Sequence, residues 1–239
     1  MRLRFFALNE SSKGLIIMAR FDRLTVLNTL LADGLVPLFY QSDPALSAKL
    51  AAAVHQGGAH TLEFTNRGDF AIEVFDTLVK RAHADQIIGV GSIEDAPTAA
   101  LFIAHGANFV VGPSFSEGVA RLCNRHKIAY VPGCGTVTEI ASAEEFGTEI
   151  IKLFPAESAQ PSFVKAVLGP CPWTRLMPTS GVTPDAANLR AWFGAGVACV
   201  GMGSQLIQAE WVKAGNFEAI EGAVRDTLTT IRQIRSGAQ

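Results

Sequence analysis

The sequence predicts an α/β protein built as a (β/α)8 TIM barrel with an extra N-terminal capping helix, and three observations predict it. Short apolar runs rich in β-branched residues alternate with helical patterns from residue 35 onward. The alternation recurs about every 20 to 25 residues, the cadence of βα units. The first strand ends in Tyr40-Gln41-Ser42-Asp43, without the glycine-rich fingerprint that opens a doubly wound nucleotide-binding sheet. Eight parallel strands each followed by a helix can instead close on themselves.

A helix over 21–33 comes first and is the extra cap. Strands follow over 35–40, 60–65, 86–92, 109–114, 129–133, 150–155, 175–180 and 197–201. Each is a short apolar run bounded by turn residues. Helices are expected over 44–56, 69–82, 95–105, 116–126, 137–146, 160–168, 184–193 and 216–235. No linker-like or low-complexity stretch divides residues 21–239, which are read as one domain. Residues 1–20 differ in character and are read as a poorly ordered extension, within which Met18 resembles a second beginning.

With 49% hydrophobic residues and a formal net charge of −2, the chain of 239 residues can bury one large core and carries no electrostatic footprint for nucleic acid or membrane. A small-molecule site is the better expectation. The four cysteines form no CxxC pair and read as reduced thiols; no apolar run approaches the roughly 20 residues of a membrane span, so a cytoplasmic protein is expected. The five histidines form neither HExxH nor a strand-end HxH, and no serine sits in GxSxG. Neither a histidine-bound metal nor a serine hydrolase is therefore expected.

In such a barrel, chemistry belongs at the C-terminal ends of the strands. The sixth predicted strand places Lys152 inside an apolar run, where side-chain alternation turns Ile151 and Leu153 toward the helices and Lys152 into the barrel. Burial disfavours the charged form of an amine and frees it to attack carbonyls. By the same parity Leu62 and Phe64 face outward while Glu63 and Thr65 face inward. A carboxylate beside an amine can move protons through a carbinolamine, and Arg67, just beyond the strand, can grip a substrate carboxylate bidentately. The plainer alternative is a structural ion pair between Glu63 and Lys152 or Arg67. The seventh and eighth strands end in Pro178-Thr179-Ser180-Gly181 and Gly201-Met202-Gly203-Ser204, at the two positions where this fold commonly cradles phosphate. Glycines there also serve tight turns alone.

The blocks LEFTNRG (62–68), IGVGS (88–92), GANFVVGPSF (106–115), VPGCGTVTE (131–139), IIKLFPAE (150–157), MPTSGVTPDAAN (177–188) and VGMGS (200–204) resemble the 2-keto-3-deoxy-6-phosphogluconate (KDPG) / 4-hydroxy-2-oxoglutarate (KHG) aldolase family in its own order, over about residues 21–235. The resemblance implies a class I aldolase, usually a homotrimer, acting without metal or other cofactor on pyruvate and an aldehyde. It implies Lys152 as the Schiff-base lysine, Glu63 as acid/base, and Arg67 with Ser92 as the grip on the pyruvyl carboxylate. Thr179, Ser180, Gly181, Gly201, Gly203 and Ser204 fall in the phosphate-binding region.

Two departures bear on the substrate: Ser180 stands where the family often has a second glycine, and Tyr40 where many relatives carry a basic residue. The expected reaction is cleavage of a 2-keto-3-deoxy-4-hydroxy acid, KDPG or 4-hydroxy-2-oxoglutarate, to pyruvate and an aldehyde. A phosphosugar isomerase or epimerase on the same barrel, and a non-catalytic phosphosugar-binding barrel, are the rival readings.

Overall fold

The computed structural model describes residues 19–237; the expectations for residues 1–18, including the reading of Met18, lie outside the described residues. The chain opens with α1 (Arg23–Asp33), started by the Asp22 carboxylate accepting from the Leu24 and Thr25 N–H groups and ended by Gly34 at φ 71°. These are the side-chain N-cap and left-handed C-cap that satisfy orphan backbone groups at helix ends. Alternation follows as β1 (Leu35–Phe39), α2 (Pro44–Gln56), β2 (Thr61–Thr65), α3 (Ala71–Arg81), β3 (Ile87–Gly91), α4 (Ala96–Ala104), β4 (Phe109–Val111) and α5 (Glu117–His126). It continues as β5 (Ala129–Val131), β6 (Gly133–Cys134), α6 (Val137–Glu145), β7 (Ile151–Leu153), α7 (Ala156–Leu168), β8 (Leu176–Pro178), α8 (Ala186–Gly194), β9 (Val200–Met202), α9 (Ala209–Ala214) and α10 (Phe217–Arg235).

Every expected strand and helix is present, with three differences. The fifth expected strand is divided into β5 and β6 at Pro132, which has no N–H for the ladder, although its carbonyl still accepts from Lys152 N at 2.9 Å. The helix expected from residue 160 begins at Ala156, because a first turn precedes a break at Gln160 (φ 61°, ψ 161°) before Pro161 restarts the helix. The short α9 was not expected.

All strand pairs are parallel, in a six-stranded order β5-β4-β3-β2-β1-β9 and a three-stranded order β6-β7-β8. The ladder is curled. Along it β2 and β7 are four rungs apart, roughly 19 Å in a flat sheet at ~4.8 Å per strand. Yet Glu63 and Lys152, carried by those two strands, approach within 4.0 Å.

Curling sorts the side chains into two apolar clusters. Outward positions such as Leu62, Phe64, Ile151 and Leu153 pack among helical residues including Phe75, Phe102 and Trp192. Inward positions Val36, Ile87, Phe109, Val111, Ile150 and Met177 form a second cluster, which Val26, Leu27 and Leu30 of α1 complete. The parity argument thus holds at each strand it was applied to. Among the described residues, no helix is long and apolar enough to cross a membrane.

Candidate active site

Beyond the inner apolar cluster, toward the C-terminal ends of the strands, the curled sheet leaves a cavity of about 1100 Å³. All ten residues singled out from the sequence line it: Lys152, Glu63, Arg67, Ser92, Thr179, Ser180, Gly181, Gly201, Gly203 and Ser204. They come from five different strands and the turns that follow them.

Lys152 is 7% exposed and Glu63 1% exposed. Lys152 is held in the middle of β7, paired with Gly133 on one side and Met177 on the other. Its Nζ is 4.0 Å from Glu63 Oε1 and 5.1 Å from the centroid of the Phe154 ring. A separation of 4.0 Å is too long for a direct hydrogen bond. Among the described residues, Glu63 Oε2 is buried without a hydrogen-bond partner. A buried, unsatisfied carboxylate oxygen is expensive unless function requires it. The pair can therefore face a common substrate atom rather than saturate one another, which the plainer ion-pair reading would demand.

Arg67 follows β2 and is exposed at the cavity wall; among the described residues its guanidinium makes no ion pair. Its five donors in a planar fork match a carboxylate. Ser92 follows β3 in the left-handed conformation, φ 60°.

At the other side of the cavity, Thr179 and Gly201 form a parallel bridge between the ends of β8 and β9. A β-carbon on Gly201 would stand 2.5 Å from Thr179 Oγ1, so the close approach requires glycine there. Ser180 and Gly181 both have φ 68°. Serine adopts this region at a cost of about 1–2 kcal/mol, and the left-handed turn is kept with Ser180 in it. Among the described residues, Thr179 Oγ1 and Ser180 Oγ are both buried without partners.

Sequence reasoning missed several residues of the cavity wall. Tyr40 was noted only as a departure; its ring packs against Phe64 at 6.2 Å and its hydroxyl lies beside Gly68, next to Arg67. Glu157 belongs to a quoted block but received no role, and it lies against Gly181, where a β-carbon would stand 2.8 Å from Glu157 Cγ. Lys213 sits on the unexpected α9, and a single cation in a six-residue helix leaves no signal in a sequence.

The family model for KDPG and KHG aldolase matches residues 26–223. The KHG/KDPG aldolase of Escherichia coli K12 is 28% identical over 195 residues, covering 81% of this chain and 90% of that protein. The 2-dehydro-3-deoxy-phosphogluconate aldolase of Pseudoalteromonas atlantica is 32% identical over 187 residues, covering 77% and 85%. Among solved structures, a KDPG aldolase from Legionella pneumophila, with pyruvate captured at low pH as a covalent carbinolamine intermediate, superimposes with a TM-score of 0.77. It is 26% identical and covers 83% of this chain and 96% of that one.

Proposed function

The chain belongs to the KDPG and KHG aldolase family, and from that premise we propose that Lys152 is the Schiff-base nucleophile of a pyruvate-dependent class I aldolase, with Glu63 as its acid and base. The observation that carries this is the buried pair itself, two ionisable groups from distant strands set 4.0 Å apart inside one cavity with a Glu63 oxygen left unsatisfied.

Neutral Lys152 attacks the C2 ketone of a 2-keto-3-deoxy-4-hydroxy acid, and Glu63 delivers the proton with which the carbinolamine hydroxyl leaves as water. Removal of the C4 hydroxyl proton then breaks the C3–C4 bond, whose electrons pass into the iminium. The products are an aldehyde and the pyruvate enamine, which is protonated at C3 and hydrolysed to return the lysine. Arg67 and Ser92 hold the pyruvyl carboxylate. A phosphate at the far end of the aldehyde is held by the Thr179–Gly181 turn and by Gly201, Gly203 and Ser204, so KDPG is the preferred substrate over 4-hydroxy-2-oxoglutarate. The isomerase or epimerase reading and the non-catalytic reading are not favoured by the family.

Three finer readings accompany this one. The bridge Thr179–Gly201 and the bond from Ala198 N to Leu176 O at 3.0 Å support closure of the ladder as a (β/α)8 barrel over residues 21–239, with α1 as its cap. A homotrimer follows from the family resemblance and is tested by light scattering. Four free cysteines suit a reducing cytoplasm.

Borohydride reduction in the presence of pyruvate tests the chemistry, since only an iminium becomes a stable secondary amine. Mass spectrometry should place the adduct on Lys152, and an adduct on Lys165 instead would falsify the assignment.

A further inference from the structure

We infer that Gly91 is a positioning residue for the reaction, and that its missing side chain is what lets the Glu63 carboxylate reach its working place; the inference rests on the acid/base reading of Glu63. Gly91 ends β3 within the strand, and its backbone is outside the left-handed region that favours glycine. Its register against β2 is fixed by the pairs Glu63 with Gly89 and Thr65 with Gly91 itself. An alanine at 91 would therefore suit the backbone.

Space, not conformation, excludes it. A β-carbon on Gly91 would stand 2.5 Å from Glu63 Cδ and 2.9 Å from Cγ, and would overlap Oε1; these are its three nearest atoms. The Glu63 side chain thus runs diagonally across the ladder and rests on the bare backbone of Gly91. The position directly opposite Glu63 offers no alternative, because the space over Gly89 is filled by the Phe109 ring, with Cδ1 2.5 Å from where a β-carbon would be. Two inward glycines on one strand consequently do different work. Gly89 admits the apolar core of the barrel, and Gly91 admits the carboxylate one layer above it, on the side where Lys152 stands.

A methyl at 91 displaces the carboxylate by an ångström or more, and misplacement on that scale costs on the order of 10²-fold in rate. Lys152 itself is untouched, so the adduct with pyruvate still reaches its end-point yield, while the proton transfers that form and turn over the iminium slow.

The test compares Gly91→Ala, Glu63→Ala and the double variant with the parent. Its readouts are kcat and KM for aldol cleavage, hydrogen exchange at pyruvate C3, borohydride-trapped adduct and melting temperature. Gly91→Ala is expected to lower kcat and C3 exchange together, roughly 10- to 100-fold, with little change in KM or in the end-point yield of trapped adduct. In the Glu63→Ala background the same methyl should cost nothing more. A parent-like kcat in Gly91→Ala, or an equal further loss in the double variant, overturns the proposal. Should Gly91→Ala fail to fold, recovery of folding in the double variant supports the steric account, and failure of both variants overturns it. If Glu63→Ala alone keeps parent-like exchange, the acid/base reading of Glu63 has failed instead, a result distinct from the others.

Discussion

Lys152 Nζ and Glu63 Oε1 face each other at 4.0 Å across the interior of a curled sheet, from strands that share no rung. Neither group is placed by its local sequence alone; the curl brings them together. A structural ion pair would close to hydrogen-bond distance and use both carboxylate oxygens, whereas here Oε2 has no partner.

Lys152→Met should therefore abolish aldol cleavage and borohydride trapping while leaving the melting temperature equal or higher. Methionine fills a similar volume and removes the burden of an amine only 7% exposed. Calorimetry alongside the cleavage assay checks both halves. A large drop in melting temperature would mean that the lysine holds the curled sheet together.

Replacing Glu63 with Gln keeps the shape of the side chain resting on Gly91 but removes its proton chemistry. Turnover and C3 proton exchange should fall by on the order of 10² to 10⁴, as for other lost general acids and bases. Pyruvate binding, measured by the yield of trapped adduct at saturation, should fall much less. Turnover within a few-fold of the parent would make Glu63 structural.

At the opposite end of the strands, His60 binds the last residue of α1: its Nδ1 is 3.0 Å from Asp33 Oδ1, and its backbone N donates to Asp33 Oδ2 at 2.8 Å. The hydrogen bond to Asp33 raises the His60 pKa above the ordinary 6.5, against burial and the opposing charge of Arg232, with Asp85 adding to the rise. A raised folded value means that stability is gained in full below about 6.5 and is lost as pH climbs through the folded pKa. His60→Gln should accordingly lower the melting temperature more at about pH 5 than at about pH 9. The His60 side chain is 40% exposed, so the difference should be small. An equal loss at both pH values would show that the ionised pair contributes nothing.

How far this molecule could be read from its sequence depended on whether the deciding contact was periodic. Lys152 and Glu63 were legible because a polar residue in an apolar strand has a definite parity, and both parities held. Ser180 was legible as a departure because the strand-end turn is local. Pro132 broke a strand whose composition looked continuous, and the first turn of α7 was hidden by Pro161, which marks a helix start only for the segment after the break at Gln160. Helix α9 is only six residues long, too short for Trp211 and Val212, which pack against the core, to mark a helical period. The space shared by Gly91 and Glu63 is diagonal across two strands, a relation that neither strand's pattern encodes.

Substrate choice turns on Ser180. Its hydroxyl is buried without a partner in the cavity wall, on a turn that serine adopts only with strain. A strained residue with an unused donor in the turn proposed to hold phosphate is best explained by a bond to the ligand. A hydrogen bond to a charged group contributes about 1.5–3 kcal/mol, or roughly 10- to 150-fold. The parent should therefore prefer 2-keto-3-deoxy-6-phosphogluconate over its unphosphorylated counterpart in kcat/KM, and Ser180→Gly should reduce that preference at least tenfold while raising the melting temperature by relieving the left-handed turn. If the hydroxyl merely crowds the cradle, Ser180→Gly will instead increase the preference. A parent ratio near one, or inverted, defeats the phosphate reading and leaves the proposed Schiff base at Lys152 standing, because borohydride trapping and the substrate ratio are separate measurements.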